Sequence, residues 1–143
     1  MPNRVRLNNL RTTTMSHHIL FVDDEPPVRE TLSLFFKMKG IAVTAVATGA
    51  EALERAKNTP LSLAILDVKL GGEDGLELLQ QFKKNYPSVP AVMFTAFGDD
   101  PDKRDKAFLN GASAFMCKGE SLLALFETVM RVLRGETVRP AAS

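Results

Sequence analysis

Short apolar runs alternate along this chain with stretches in which apolar residues recur every third or fourth position, and from Ile19 onward the alternation repeats five times. The runs cover residues 19–22, 41–46, 63–68, about 89–94, and 112–117. Nearly unbroken apolar runs of this length suit strands buried on both faces. Strands separated by helical patterns predict an α/β domain, a parallel sheet with crossover helices.

The first helix opens at Pro26-Pro27, where proline suits an initial turn, and places Val28, Leu32, Phe35 and Phe36 on one face before Gly40 ends it. Thr48-Gly49-Ala50-Glu51 is a capping-box pattern for the second, and Asp74 with Glu77 three residues on opens the third, whose stripe is Leu76, Leu79 and Phe82. The fourth begins near Asp99-Asp100-Pro101 and is charged, with Ala107 and Phe108 its few apolar anchors, which marks it as a candidate mobile element. The fifth runs from about Glu120 to Arg134, with Leu122, Leu123, Phe126, Val129, Met130 and Leu133 as its core stripe. Leu125 and Val132 widen that arc to about half the helix. A wide core contact accounts for the width, and a partner or dimer surface is the functional alternative.

A length of 143 residues makes one domain with a real core. Residues 1–16, rich in Asn, Thr and Arg without periodicity, read as a disordered tail, 17–135 as the domain, and 136–143 as a short tail with no second domain attached. Net charge is +1, but Arg4, Arg6 and Arg11 lie in the first tail, leaving 15 basic against 17 acidic residues in the remainder. That balance argues against a direct nucleic-acid footprint. One cysteine, Cys117, excludes an intrachain disulfide, no apolar stretch approaches a membrane span, and the start lacks a secretory apolar segment, so a cytoplasmic location is expected. His17-His18 lack companion ligands and read as solvated.

The chemistry gathers where the runs end. The first ends in Asp23-Asp24, the third delivers Asp67, the fourth ends in Thr95 and the fifth in Lys118. In a parallel sheet all of these reach the carboxyl edge, where open α/β sheets place their sites. Two unit charges ~5 Å apart repel by about 3 kcal/mol at an effective dielectric of ~20. Lys118 offsets part of that repulsion, and clustered oxygen ligands without Cys or a convincing His suit Mg²⁺ for the rest. Asp67 then becomes a carboxylate nucleophile for phosphoryl transfer, with Lys118 and the Thr95 hydroxyl as partners for the phosphoryl oxygens and the small Ala96 leaving room. Each residue taken singly has a plainer reading, as N-cap, strand former or solvated lysine. Their joint order on alternating strand ends is what points to a site.

Taken together, Val22-Asp23-Asp24-Glu25-Pro26, Leu66-Asp67-Val68 with Asp74-Gly75, Phe94-Thr95-Ala96, and Gly111-Ala112 through Phe115 to Lys118 resemble the receiver domain of two-component response regulators, over residues 19 to about 134. The resemblance implies a flavodoxin-like (βα)5 doubly wound sheet of strand order 2-1-3-4-5. It implies Asp67 as phosphoacceptor and Mg²⁺ held by Asp23, Asp24, Asp67 and the backbone carbonyl of Lys69. Thr95 and Lys118 would bind the phosphoryl group, and Phe115 would be an aromatic switch that turns inward on phosphorylation. The implied partners are a histidine kinase or histidine phosphotransfer protein and an unknown downstream protein, with a homodimer through the face of helix four, strand five and helix five left open. Such a domain is not an enzyme with a separate substrate, although it assists its own phosphotransfer and autodephosphorylation.

This chain departs from the family pattern at two loops. Gly119 follows Lys118 where the family usually has proline, often through a cis peptide, so the loop is either trans and remodelled or strained. Gly71 replaces a common proline after Asp67, and Lys69 brings a second cation nearby.

Three other functions fit these residues less well. An unphosphorylated receiver acting as a constitutive binding module would not need Asp23, Asp24, Asp67, Thr95 and Lys118 together. An aspartyl-phosphate phosphatase would want a second acid where Lys69 stands. A flavin or nucleotide binder would not end its first strand in Asp23-Asp24-Glu25 without a glycine-rich cradle.

Overall fold

Residues 17–96 and 100–140 are described by the structure, a computed structural model. The expected tail at residues 1–16 lies outside them, as do Asp99 at the expected start of the fourth helix and residues 141–143. Five strands, β1 (His18–Val22), β2 (Ala42–Val46), β3 (Leu63–Leu66), β4 (Ala91–Thr95) and β5 (Ala114–Cys117), form one parallel sheet of order β2-β1-β3-β4-β5. The crossover helices are α1 (Pro26–Met38), α2 (Gly49–Asn58), α3 (Gly75–Asn85) and α4 (Pro101–Leu109), and α5 (Leu122–Leu133) follows the last strand. This is the doubly wound, flavodoxin-like α/β fold with the expected strand order.

Burial on both faces explains the unbroken runs. Ile19 and Phe21 of β1 pack with Leu32, Phe36, Leu125, Val129 and Val132 of α1 and α5. Leu20 and Val22 point the other way, into Ala52, Leu78, Leu79, Phe82 and Ala107 of α2, α3 and α4. Successive strand residues alternate faces, so each must be apolar. Helix starts follow the local signals: Thr48 accepts from Glu51 N at 3.1 Å, Asp74 from Leu76 N at 2.9 Å, and Ser121 from Ala124 N at 3.0 Å.

The stripe of α5 sits differently from the one expected. Leu125, Val129 and Val132 are the buried positions, whereas Leu123, placed in the core by its spacing, is 52% exposed. Leu122, Phe126, Met130 and Leu133 flank the buried line and pack against its edges. Apolar residues cover too much of this helix for spacing alone to locate the centre of the arc. The sheet selects positions 125, 129 and 132, which share one face at i, i+4 and i+7.

The C-terminal residues expected as a tail fold back in part. Val138 N donates to Ser113 O at 2.7 Å and Val138 bridges Ala114 in parallel, so this segment covers the outer edge of β5. Glu136 pairs with Arg131 at 2.9 Å, and the Arg139 guanidinium lies 4.4 Å from the centre of the Phe108 ring on α4. In α4 itself only Ala107 is buried, and Leu109 is exposed, consistent with the sparse anchoring read from its sequence.

Two substitutions test the placement of α5. Leu125→Ala leaves a hole against the sheet and is expected to cost about 2–5 kcal/mol in urea unfolding. Leu123→Ala is expected to change stability by less than about 0.5 kcal/mol, and the reverse ranking would return the helix to the spacing-based stripe.

Candidate functional site

Strand register places the acids side by side. Val22 pairs with Leu66, so the next residues, Asp23 and Asp67, leave adjacent central strands at the same level. Neighbouring strands run about 4.8 Å apart, so the two carboxylates converge. Thr95 pairs with Cys117 between β4 and β5, and the Lys118 N–H donates to Thr95 O at 2.8 Å, which fixes Lys118 at the end of the neighbouring strand. Asp23, Asp67 and Thr95 are the buried polar residues among those described.

The Lys118 ammonium closes this arrangement. Its Nζ lies 2.6 Å from Asp23 Oδ2 and 2.6 Å from Asp67 Oδ2, with Glu25 Oε1 at 3.9 Å. Burial by itself pushes the ammonium pKa down and is the largest single influence, yet the hydrogen bonds and charges of Asp23 and Asp67 together outweigh it and hold the pKa above the ordinary lysine value. The stabilisation from this pairing is therefore complete below the unfolded-state value of 10.5 and is lost as pH rises through the higher folded value.

A second acidic group lies against the first. Asp23, Asp24 and Glu25 each bring one carboxylate oxygen within 4.8 Å of the others. Asp23 Oδ1 accepts from Glu25 N at 2.9 Å, while the fully buried Oδ2 is held by the Lys118 ammonium at 2.6 Å. A cluster of hard carboxylate oxygens without Cys or His fits a divalent cation such as Mg²⁺. Glu25 carries no role in the Val22–Pro26 motif as the pattern alone presents it. Its position directly after Asp23-Asp24 was the available signal.

The Asp67 loop is shaped by glycine. Asp67 Oδ1 faces Lys69 N at 3.3 Å, and Lys69–Leu70 forms a two-stranded antiparallel ribbon with Glu73–Asp74. Gly71 adopts φ +59°, which favours glycine. A Cβ on Gly75 would stand 1.7 Å from Asp67 O, so α3 presses its first residue onto the backbone of Asp67, and only glycine fits. The Lys69 side chain is exposed, and the Lys118–Gly119 peptide is trans, as is every peptide bond among the described residues. Glu120 N closes a turn onto Cys117 O at 3.0 Å, so the loop after Lys118 is remodelled without proline. Phe115 is buried with Met93, Ala107 and Ala112. Beside Lys118 an apolar groove of about 290 Å³ runs between Val28, Leu32, Phe94 and Leu122.

The doubly wound sheet thus brings a buried Asp, an acidic cluster and a lysine together at its carboxyl edge. The response regulator receiver domain family matches residues 19–130, and this chain belongs to it. The transcriptional activator protein PfeR of Pseudomonas aeruginosa is 32% identical over 128 residues, 90% of this chain and 41% of the relative. The uncharacterized transcriptional regulatory protein YkoG of Bacillus subtilis is 35% identical over 117 residues, 80% of this chain and 51% of the relative. The chain thus spans about half or less of these relatives' length. The crystal structure of a CheY-like receiver domain protein from Methanospirillum hungatei superposes with a TM-score of 0.79 at 27% identity, covering 83% of this chain and 94% of that one. The chemotaxis response regulator CheY4 of Vibrio cholerae gives 0.74 at 27% identity, over 81% and 98%. Among the described residues no helix is long and apolar enough to cross a membrane.

Removing the shared cation tests the charge balance. Lys118→Met leaves two buried carboxylates facing one another and is expected to cost about 3–5 kcal/mol in metal-free buffer. Added Mg²⁺ is expected to raise the unfolding midpoint of this variant more than that of the wild type. Gly75→Ala, which forces α3 off Asp67, is expected to lower stability by more than about 2 kcal/mol by the same measurement.

Proposed function

We propose that Asp67 accepts a phosphoryl group from a histidine kinase or a histidine phosphotransfer protein. The carrying observation is the Asp67 carboxylate, buried at the level of Asp23 with the Lys118 ammonium 2.6 Å from its Oδ2. A carboxylate oxygen of Asp67 forms the new O–P bond as the P–N bond to the donor imidazole breaks. The electron pair leaves on the imidazole nitrogen, which takes up a proton. Asp23, Asp24, Asp67 and the backbone carbonyl of Lys69 are the proposed Mg²⁺ ligands, with Glu25 beside them. Bound there, the cation supplies charge neutralisation for the acids and the phosphoryl oxygens.

Lys118 and the Thr95 hydroxyl are the proposed partners of the phosphoryl group once it is carried by Asp67. The readout is a shift between two packings, and moving such an equilibrium from 1:99 to 99:1 takes about 5.5 kcal/mol of differential binding. Charge-assisted contacts at two residues supply a large part of that. The affected face is that of α4, β5 and α5, where α4 has few buried anchors. This face is the proposed contact for a downstream protein or a second copy. The second reading, a constitutive binding module, draws on one observation: Phe115 is buried.

Intact-mass measurement after incubation with acetyl phosphate and Mg²⁺ separates the two readings. One added phosphate is expected on the wild type and none on Asp67→Ala. An unmodified wild type, or phosphate persisting on the variant, removes the phosphoacceptor reading.

A further inference from the structure

The ribbon that follows Asp67 is too small to hold its own shape. It has two bridged pairs, Lys69 with Asp74 and Leu70 with Glu73, and Gly71-Gly72 joins them. An isolated hairpin is at best marginal, and adjacent glycines add freedom. Leu70, buried in the core shared by α2 and α3, pins one strand of the ribbon.

Glu73 ties down the other strand across the fold. Its Oε1 accepts from the backbone N–H of Gly49, the first residue of α2, at 3.0 Å. That N–H is one of the donors a helix start leaves unpaired, and the positive end of the helix favours a carboxylate. Glycine leaves room for the approach: a Cβ on Gly49 would stand 3.1 Å from Glu73 Oε2 and 3.3 Å from Leu78 Cδ1, tighter than ordinary contact. The acidic cluster borders the same ribbon, since a Cβ on Gly71 would lie 3.6 Å from Asp24 Oδ2. A displaced ribbon therefore disturbs the surroundings of Asp24 together with the backbone of Lys69.

We infer that Glu73 is a positioning residue for the cation site: by tying the ribbon to the start of α2 it sets where the Lys69 carbonyl stands relative to Asp67 and the Asp23-Asp24-Glu25 cluster. This rests on the proposed role of that carbonyl as a ligand. The tie is separable from the integrity of α2, because Thr48 Oγ1 independently caps Glu51 N at 3.1 Å.

Calorimetric titration with Mg²⁺ of the wild type, Glu73→Ala and Glu73→Gln tests the inference, with amide hydrogen exchange of the metal-free proteins as a second readout. Glu73→Ala is expected to bind Mg²⁺ about 10-fold more weakly, the scale on which loss of an outer support weakens a metal site. Its amides at Gly49 and across residues 69–74 are expected to exchange faster, while its unfolding midpoint stays near that of the wild type. Glu73→Gln keeps the acceptor oxygen and is expected to restore both affinity and protection. Equal Mg²⁺ affinity in wild type and Glu73→Ala overturns the inference and leaves the phosphoacceptor proposal standing. A wild type that binds no Mg²⁺ overturns both.

Discussion

The placement of one ammonium between two buried carboxylates is the constraint around which the rest of this domain is arranged. Asp23 and Asp67 come together because β1 and β3 are adjacent, parallel and in register, and at such separations their repulsion is about 3 kcal/mol per pair. That is a large fraction of what a domain of this size has to spare. Lys118, 2.6 Å from both, converts the repulsion into a salt bridge with three members. The same concentration of charge is what makes the site useful. A carboxylate held beside a cation, with further acids at Asp24 and Glu25, is placed to exchange one set of electrostatic partners for another.

Around that core of charge, backbone geometry leaves little latitude on one side and considerable latitude on the other. Gly75 locks α3 onto Asp67 O, so the backbone of Asp67 is held by a contact no side chain permits. The ribbon after Lys69 is held by Leu70 and by Glu73 on Gly49 N rather than by a rigid turn, with glycine at both of its tip positions. On the far edge, α4 has Ala107 as its buried anchor and receives added support from Arg139 against Phe108, while Val138 covers the edge of β5. Weakly anchored elements are the ones a local change in charge moves most readily.

Much of this was legible in the residues. Short unbroken apolar runs suit strands covered on both faces, and their separation by helical patterns points to a parallel sheet, which brings Asp23, Asp24, Asp67, Thr95 and Lys118 to its carboxyl edge. Local caps at Thr48 and Asp74 were legible for a similar reason, since a cap is an interaction across a few residues. The centre of the α5 stripe was not, because apolar residues on half a helix leave several faces nearly equivalent until a sheet selects Leu125, Val129 and Val132. Nor was the return of Val138 to β5, which depends on an unpaired strand edge formed by residues far back in the chain.

The sequence by itself determined the fold class and which residues reach the site, because both depend on periodicity and on the ends of short runs. Only the tertiary structure decided how those residues share charge. It paired Lys118 with Asp23 as well as Asp67 and set Glu73 against Gly49. Those choices depend on distances between residues from 24 to 95 positions apart along the chain. No local pattern encodes such distances, because packing against the sheet is what sets them.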